Sequence, residues 1–162
     1  TKEEMMPEWP SPVGMLIRGP DKFAKQGGVY HAARSTEGRS REHEGIDILT
    51  IPRSPIQAPF TASVIRTADP YDDKHDAELL GILIRHMGDP RIQMKILYCK
   101  PVAGIIGKTI TKGTIIAHAQ TLQHLYPGIQ DHVHVEVSIS GMRVDPTPFF
   151  FDLTQPPLMA TT

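Results

Sequence analysis

Asp131 to Val137 reads D-H-V-H-V-E-V, two histidines and a glutamate set alternately among three valines. Val133, Val135 and Val137 predict a β-strand, and successive side chains of a strand point to opposite faces. One face is then apolar, while His132, His134 and Glu136 share the other. At a rise of about 3.3 Å per residue the Cα atoms of the two histidines stand roughly 6 to 7 Å apart. Such a pair can serve one site as two metal ligands, or as one ligand beside a proton carrier. The competing reading is a half-solvated edge strand whose outward positions are merely polar.

A second cluster weighs against that competing reading. Arg41 to Leu49 reads R-E-H-E-G-I-D-I-L, with His43 and Asp47 four apart around Gly45. In a straight strand these two would share a face but lie about 13 Å apart, too far to hold one ion. A shared ion therefore requires a bend, for which Gly45 supplies backbone freedom, before Ile46, Ile48 and Leu49 enter the core. Zinc accepts imidazole nitrogen and carboxylate oxygen at about 2.0 to 2.2 Å, and a catalytic-type site uses three protein ligands and one open position. His43, Asp47 and one histidine of the 132–134 pair form such a set.

The rest of the chain limits the alternatives. With 162 residues it is most simply one domain, long enough to bury about two-thirds of its unfolded surface. A formal net charge of -1 and a pI near 6.7 argue against nucleic acid as a partner. No apolar run reaches the roughly 18 residues of a membrane span. The single cysteine, Cys99, excludes an intrachain disulfide and a cysteine-built zinc site, leaving a core thiol or a link between subunits. Thr1 in first place suggests a processed, secreted protein.

Prolines and glycines punctuate short apolar runs about every ten residues, the pattern of an all-β domain built mainly of antiparallel sheet, with at most short helices. Strands are predicted near Val13–Ile17, Ile46–Ile51, Ala62–Thr67, Leu79–His86, Ile92–Cys99, Thr114–Ala119 and His132–Ile139. Leu79–His86 and Ile92–Cys99 flank the turn cluster Met87-Gly88-Asp89-Pro90 and predict a central hairpin. Gly81 marks a bulge or a close backbone approach. One short helix is predicted at about Gln120–Leu125. Residues 1–26 read as an N-terminal arm and first strand, 27–153 as the zinc-binding domain, and 154–162 as a C-terminal arm. Cys99 or the arms could join subunits into a homo-oligomer.

H-E-G-I-D at His43–Asp47 and H-V-H at His132–His134 resemble the H-x-G-x-D and H-x-H signatures of the lysostaphin-type zinc endopeptidases, which cut bacterial peptidoglycan cross-bridges. G-G-V-Y-H-A-A-R at Gly27–Arg34, L-Y-C-K-P at Leu97–Pro101, Y-P-G-I-Q at Tyr126–Gln130 and D-P-T-P-F at Asp145–Phe149 are closer to the leukocyte cell-derived chemotaxin branch of that fold. The resemblance implies the β-sandwich or split-barrel core of these peptidases. It implies His43, Asp47 and His134 as zinc ligands and His132 as the catalytic histidine beside the water at the metal. Glu136 could then orient a ligand from behind.

Active relatives need one more histidine, from a central strand resembling Y-x-H-L, to stabilise the oxyanion. Here that strand is M-K-I-L-Y-C-K-P, Met94–Pro101, and Tyr98 is the expected replacement, on one face with Met94, Ile96 and Lys100; a shift of one residue would substitute Cys99. A phenol donates one hydrogen bond but is no imidazolium, and losing such a donor costs about two to three orders of magnitude in rate. The resemblance thus implies a zinc site with a vestigial His132. It also implies a groove that binds N-acetylated amino sugars or peptidoglycan, with Tyr30, Arg34, Tyr98 and Tyr126 as ligand-binding candidates. Two other functions stay open: an active endopeptidase borrowing an imidazole from His75 or His124, and a secreted signalling ligand whose zinc only staples the fold.

Overall fold

The computed structural model describes residues 9–36, 39–70 and 78–154, and of 35, 36 and 39–41 the backbone alone. Among these residues twelve strands follow in chain order: β1 Ala33–Thr36, β2 Arg39–Glu42, β3 Ile46–Leu49, β4 Pro55–Gln57, β5 Ala62–Thr67, β6 Gly81–His86, β7 Ile92–Leu97, β8 Cys99–Pro101, β9 Thr109–Ile110, β10 Ile115–Ala119, β11 His132–Ile139 and β12 Met142–Val144. Among the described residues there is no α-helix, and Thr147–Phe149 forms one 3-10 turn. The all-β expectation holds.

β11 organises the larger sheet. On one flank it pairs along β7, and beyond β7 come β6, β5 and β9. On its other flank the first half pairs with β3 and the second half with β12, every pairing antiparallel. Val133, Val135 and Val137 are fully buried, so the alternation predicted for this strand is the one it adopts. β6 and β7 form the central hairpin, and Gly81 is a close approach: a Cβ there would lie 2.7 Å from Leu97 Cδ2 and 2.8 Å from the Ile96 carbonyl oxygen.

A smaller sheet, β4-β10-β8, covers the core side of the larger one. Ile56, Ile116 and Cys99 of the small sheet join Ile46, Ile48, Ile82, Ile84, Met94 and Ile96 of the large one in a single apolar cluster. Burying a side chain of this size contributes about 1.5 to 3 kcal/mol. Trp9 closes one end, stacked on Phe149 at 4.8 Å and tilted against Phe60 at 4.7 Å.

Several expectations change. Gln120–Leu125 is not a helix but a turn, with one α-type bond from the Tyr126 amide to the Leu122 carbonyl. Asp131 Oδ1 accepts the Leu122 amide, so the segment is fastened to the start of β11. Val13–Ile17 is not a strand: Leu16 bridges to Thr154 and Ile17 to Ile48 as single pairs. Residues from Trp9 onward are docked on the core rather than extended as an arm. Residues 1–8 and 155–162, and His75, lie outside the described residues. Cys99 is fully buried, and burial pushes its thiol up to about 12, which removes it as a bridge between folded subunits.

Candidate metal centre

His134 and Asp47 are direct cross-strand partners on β11 and β3. Opposite residues of an antiparallel pair have Cβ atoms about 4.5 to 5.5 Å apart, so this register alone brings an imidazole and a carboxylate together. His43 arrives from the bend after β2, anchored by its amide to the Ala32 carbonyl. Gly45 permits the bend by its lack of a side chain rather than by an unusual φ: a Cβ there would overlap the Val135 carbonyl and meet Glu136 Cγ at 3.0 Å.

The result is a triangle of donor atoms. His43 Nε2 lies 2.9 Å from His134 Nδ1, and Asp47 Oδ1 lies 3.1 Å from the former and 3.0 Å from the latter. Bonds of about 2.0 to 2.1 Å in tetrahedral array give edges of roughly 3.3 Å, so the three atoms approximate one face of a metal's coordination shell. All three residues are buried, and the group could hold a metal ion. The outer nitrogens fix the tautomers. His43 Nδ1 donates to the Val29 carbonyl at 3.1 Å and His134 Nε2 to Glu136 Oε2 at 2.9 Å. Both remaining lone pairs thereby face inward.

Asp47 divides its oxygens between two tasks. Oδ1 faces the imidazoles, while Oδ2 accepts Arg18 at 3.0 Å and Arg34 at 3.3 Å. Burial opposes its ionisation, but His132, His134 and His43 overcome this and hold the carboxyl well below its usual range. Burial likewise works against charge on His134, yet hydrogen bonds to Asp47 and Glu136 raise it to about 9. Metal and proton therefore compete for one nitrogen. Burial lowers His132, with Asp47 opposing and Arg18 assisting. His132 Nδ1 donates to the Gln130 carbonyl at 2.7 Å. Its Nε2, 3.6 Å from Asp47 Oδ2, stays outside the triangle.

Mouse (Mus musculus) leukocyte cell-derived chemotaxin-2 is 38% identical over 124 residues, 75% of this chain and 72% of the relative. The chain belongs to the leukocyte cell-derived chemotaxin-2 family. The bovine (Bos taurus) protein of that name is 35% identical over 67% of the chain and 66% of its own length. A scan against protein-family models matches none. A putative M23 peptidase of Pseudomonas aeruginosa superposes with TM-score 0.60 at 17% identity, over 91% of this chain and 52% of that one. A zinc-containing peptidase of Vibrio cholerae gives 0.57 at 22%, over 92% and 40%. The catalytic domain of lysostaphin from Staphylococcus simulans gives 0.56 at 14%, over 75% and 87%. The chain thus has the lysostaphin-type peptidase fold, and it spans about half or less of the first two of these structures.

In this chemotaxin-2 family member Tyr98 does reach the site, by a route alternation does not describe. Met94 and Ile96 point into the core, so a regular strand would send Tyr98 there too. Instead the chain leaves the large sheet after Leu97 and enters the small one at Cys99, and Tyr98 turns the corner with φ 69°. Its ring then stands edge-on to His132 at 5.5 Å and 89°. The expected common face of Met94, Ile96, Tyr98 and Lys100 is corrected accordingly.

The other ligand-binding candidates are dispersed. Arg34 points at Asp47. Tyr126 packs with Tyr98 on the small cluster Leu79, Leu122 and Ile129. Tyr30 packs against the main core and stacks on His31 at 4.0 Å.

Three further participants lie outside the metal signatures. Arg18 is 4% exposed and grips Asp21 through Nε and NH2 at 3.1 and 2.8 Å while reaching Asp47. Gln130 donates to Asp21 Oδ2 at 3.1 Å, and its backbone carbonyl holds His132. Burial is outweighed at Asp21 by Arg18 and Gln130, which bring its carboxyl down to about 2. Only the Arg18, Asp21 spacing hints at the pair, and such spacings are common.

Proposed function

We propose that this chain is a secreted zinc-binding protein on a peptidase fold that has lost its cutting activity, and that it recognises N-acetylated amino sugars or bacterial peptidoglycan in a lectin-like way. One observation carries the reading: the ring edge-on to His132 is the phenol of Tyr98, where active lysostaphin-type enzymes are expected to present an imidazole. His43, Asp47 and His134 would hold the zinc, Glu136 and the Val29 carbonyl orienting the two imidazoles. Zinc would supply Lewis-acid polarisation. Within the chain, His132 can take a proton at Nε2, but Tyr98 offers a single neutral donor where developing negative charge needs strong stabilisation. Binding does not require that missing group. The name chemotaxin, borne by the relatives, supports an extracellular place of action.

A glycan array probed with purified protein of measured metal content tests this. Retention on N-acetyl amino sugars at one zinc per chain is expected, and silence across the array at full zinc loading would sink it. The relatives' name favours a second reading, a signalling ligand with zinc as a staple of the fold. Nanomolar binding to a cell-surface receptor, without any sugar binding, would establish it. Peptide release from peptidoglycan, abolished by a chelator, would instead establish an active endopeptidase.

A further inference from the structure

The outer face of the large sheet continues from His134 past Glu136 to Ser138 as a groove of about 360 Å³. Arg66, Lys95 and Arg143 line it from three different strands, with Glu136 as the only acid among the described lining residues. In a chain of net charge -1 this is a local excess of positive charge, laid along a rigid sheet beside the metal centre.

Arg66 owes its place to a β-bulge. Ala62 and Val64 face the core opposite His86 and Ile84, and simple alternation would send Arg66 inward after them. The register slips between Val64 and Arg66, Ile65 absorbs the extra residue, and Arg66 stands opposite Leu83 on the groove side. Bulges re-aim side chains in this way. Lys95 Nζ and Arg143 Nε approach Glu136 Oε1 at 3.9 and 3.3 Å, and Arg143 also meets Glu44 at 3.0 Å. Arg66 donates to the backbone carbonyl of Thr67 at 2.9 Å, and among the described residues no carboxylate pairs with it.

We infer that this groove selects carboxylate-bearing glycans of N-acetyl amino sugars over neutral ones, with Arg66 as a specificity-determining residue. The inference rests on the amino-sugar reading above. Lys95 and Arg143 converge on Glu136 Oε1 as one positive site, and Arg66 on β5 stands two strand spacings from Lys95 on β7, roughly 10 Å. That interval matches one carboxylate per disaccharide along a chain. Uronic acid glycans and muramic acid glycans share this chemistry.

The test is calorimetric titration of the zinc-loaded protein and its Arg66→Gln variant. The probes are a chitin hexasaccharide, a hyaluronan hexasaccharide, a muramic acid oligosaccharide of equal length and a poly-glutamate peptide. At least one acidic glycan should bind the wild type tenfold or more tightly than chitin, with the preference shrinking as salt rises. Which acidic glycan does so distinguishes matrix from bacterial wall as the source. R66Q should lose most of the preference while keeping its zinc, its circular dichroism spectrum and its affinity for chitin. Equal affinity for chitin and both acidic glycans overturns the inference while leaving amino-sugar recognition standing. Binding of poly-glutamate alone overturns the glycan assignment, and no binding to any probe overturns both readings.

Discussion

At Asp47 two demands meet on one carboxylate, and its two oxygens separate them. Oδ1 completes the donor triangle, whereas Oδ2 is held by Arg18 and Arg34. Removing the carboxylate should therefore abolish metal binding, as should removing His134, while His132 lies outside the triangle. Measured by metal content after dialysis, Asp47→Ala and His134→Ala are predicted to lose zinc and His132→Ala to keep it. Equal loss in all three would mean that His132 is a ligand. Arg18 is a different case, a buried guanidinium balanced by two carboxylates. Arg18→Ala strands Asp21 and part of Asp47, and breaking buried pairs of this kind costs about 3 to 5 kcal/mol; urea denaturation should show a loss of that order.

The elements show where the sequence is readable and where it is not. The alternation of β11, the hairpin of β6 and β7, and the meeting of His43 with Asp47 across a bend follow from residue pattern, because each is set by local periodicity or by a glycine. Tyr98 and Arg66 follow from departures from periodicity: a corner between two sheets and a bulge. Nothing in M-K-I-L-Y-C-K-P distinguishes a corner from a continuous strand, since the left-handed φ of Tyr98 is imposed by the change of sheet. The supposed helix at Gln120–Leu125 fails because Asp131 and Gln123 cap turns there, offering the backbone partners other than its own next turn. Gly45 supplies a test at this scale. A Cβ there would collide with the Val135 carbonyl across the β3–β11 pairing, so Gly45→Ala should destabilise by about 1 to 3 kcal/mol and weaken zinc binding together with it. Full stability in thermal denaturation would contradict the close approach.

For the whole molecule, the metal centre couples stability to pH. His134 is raised to about 9 from an ordinary 6.5, so in the metal-free protein its ion pairing stabilises in full below about pH 6.5 and is lost as pH rises through about 9. Metal needs the neutral imidazole, so affinity runs the opposite way, weakening as pH falls below about 9. Thermal melts with and without zinc should therefore separate most at alkaline pH and converge toward pH 5. A zinc-induced shift in melting temperature that stayed constant from pH 5 to 9 would refute the competition at His134.

In the function proposed above, the fold would keep a metal and a sugar-binding groove, with Tyr98 in place of the group that cutting requires. Calorimetric titration of solubilised peptidoglycan with the zinc-loaded protein tests both halves at once, because binding gives heat that saturates and hydrolysis gives heat that continues with time. Saturating heat, displaced by excess oligosaccharide of N-acetyl amino sugars and with no continuing component, is expected. Continuing heat that a chelator abolishes, or no heat at all, would contradict it.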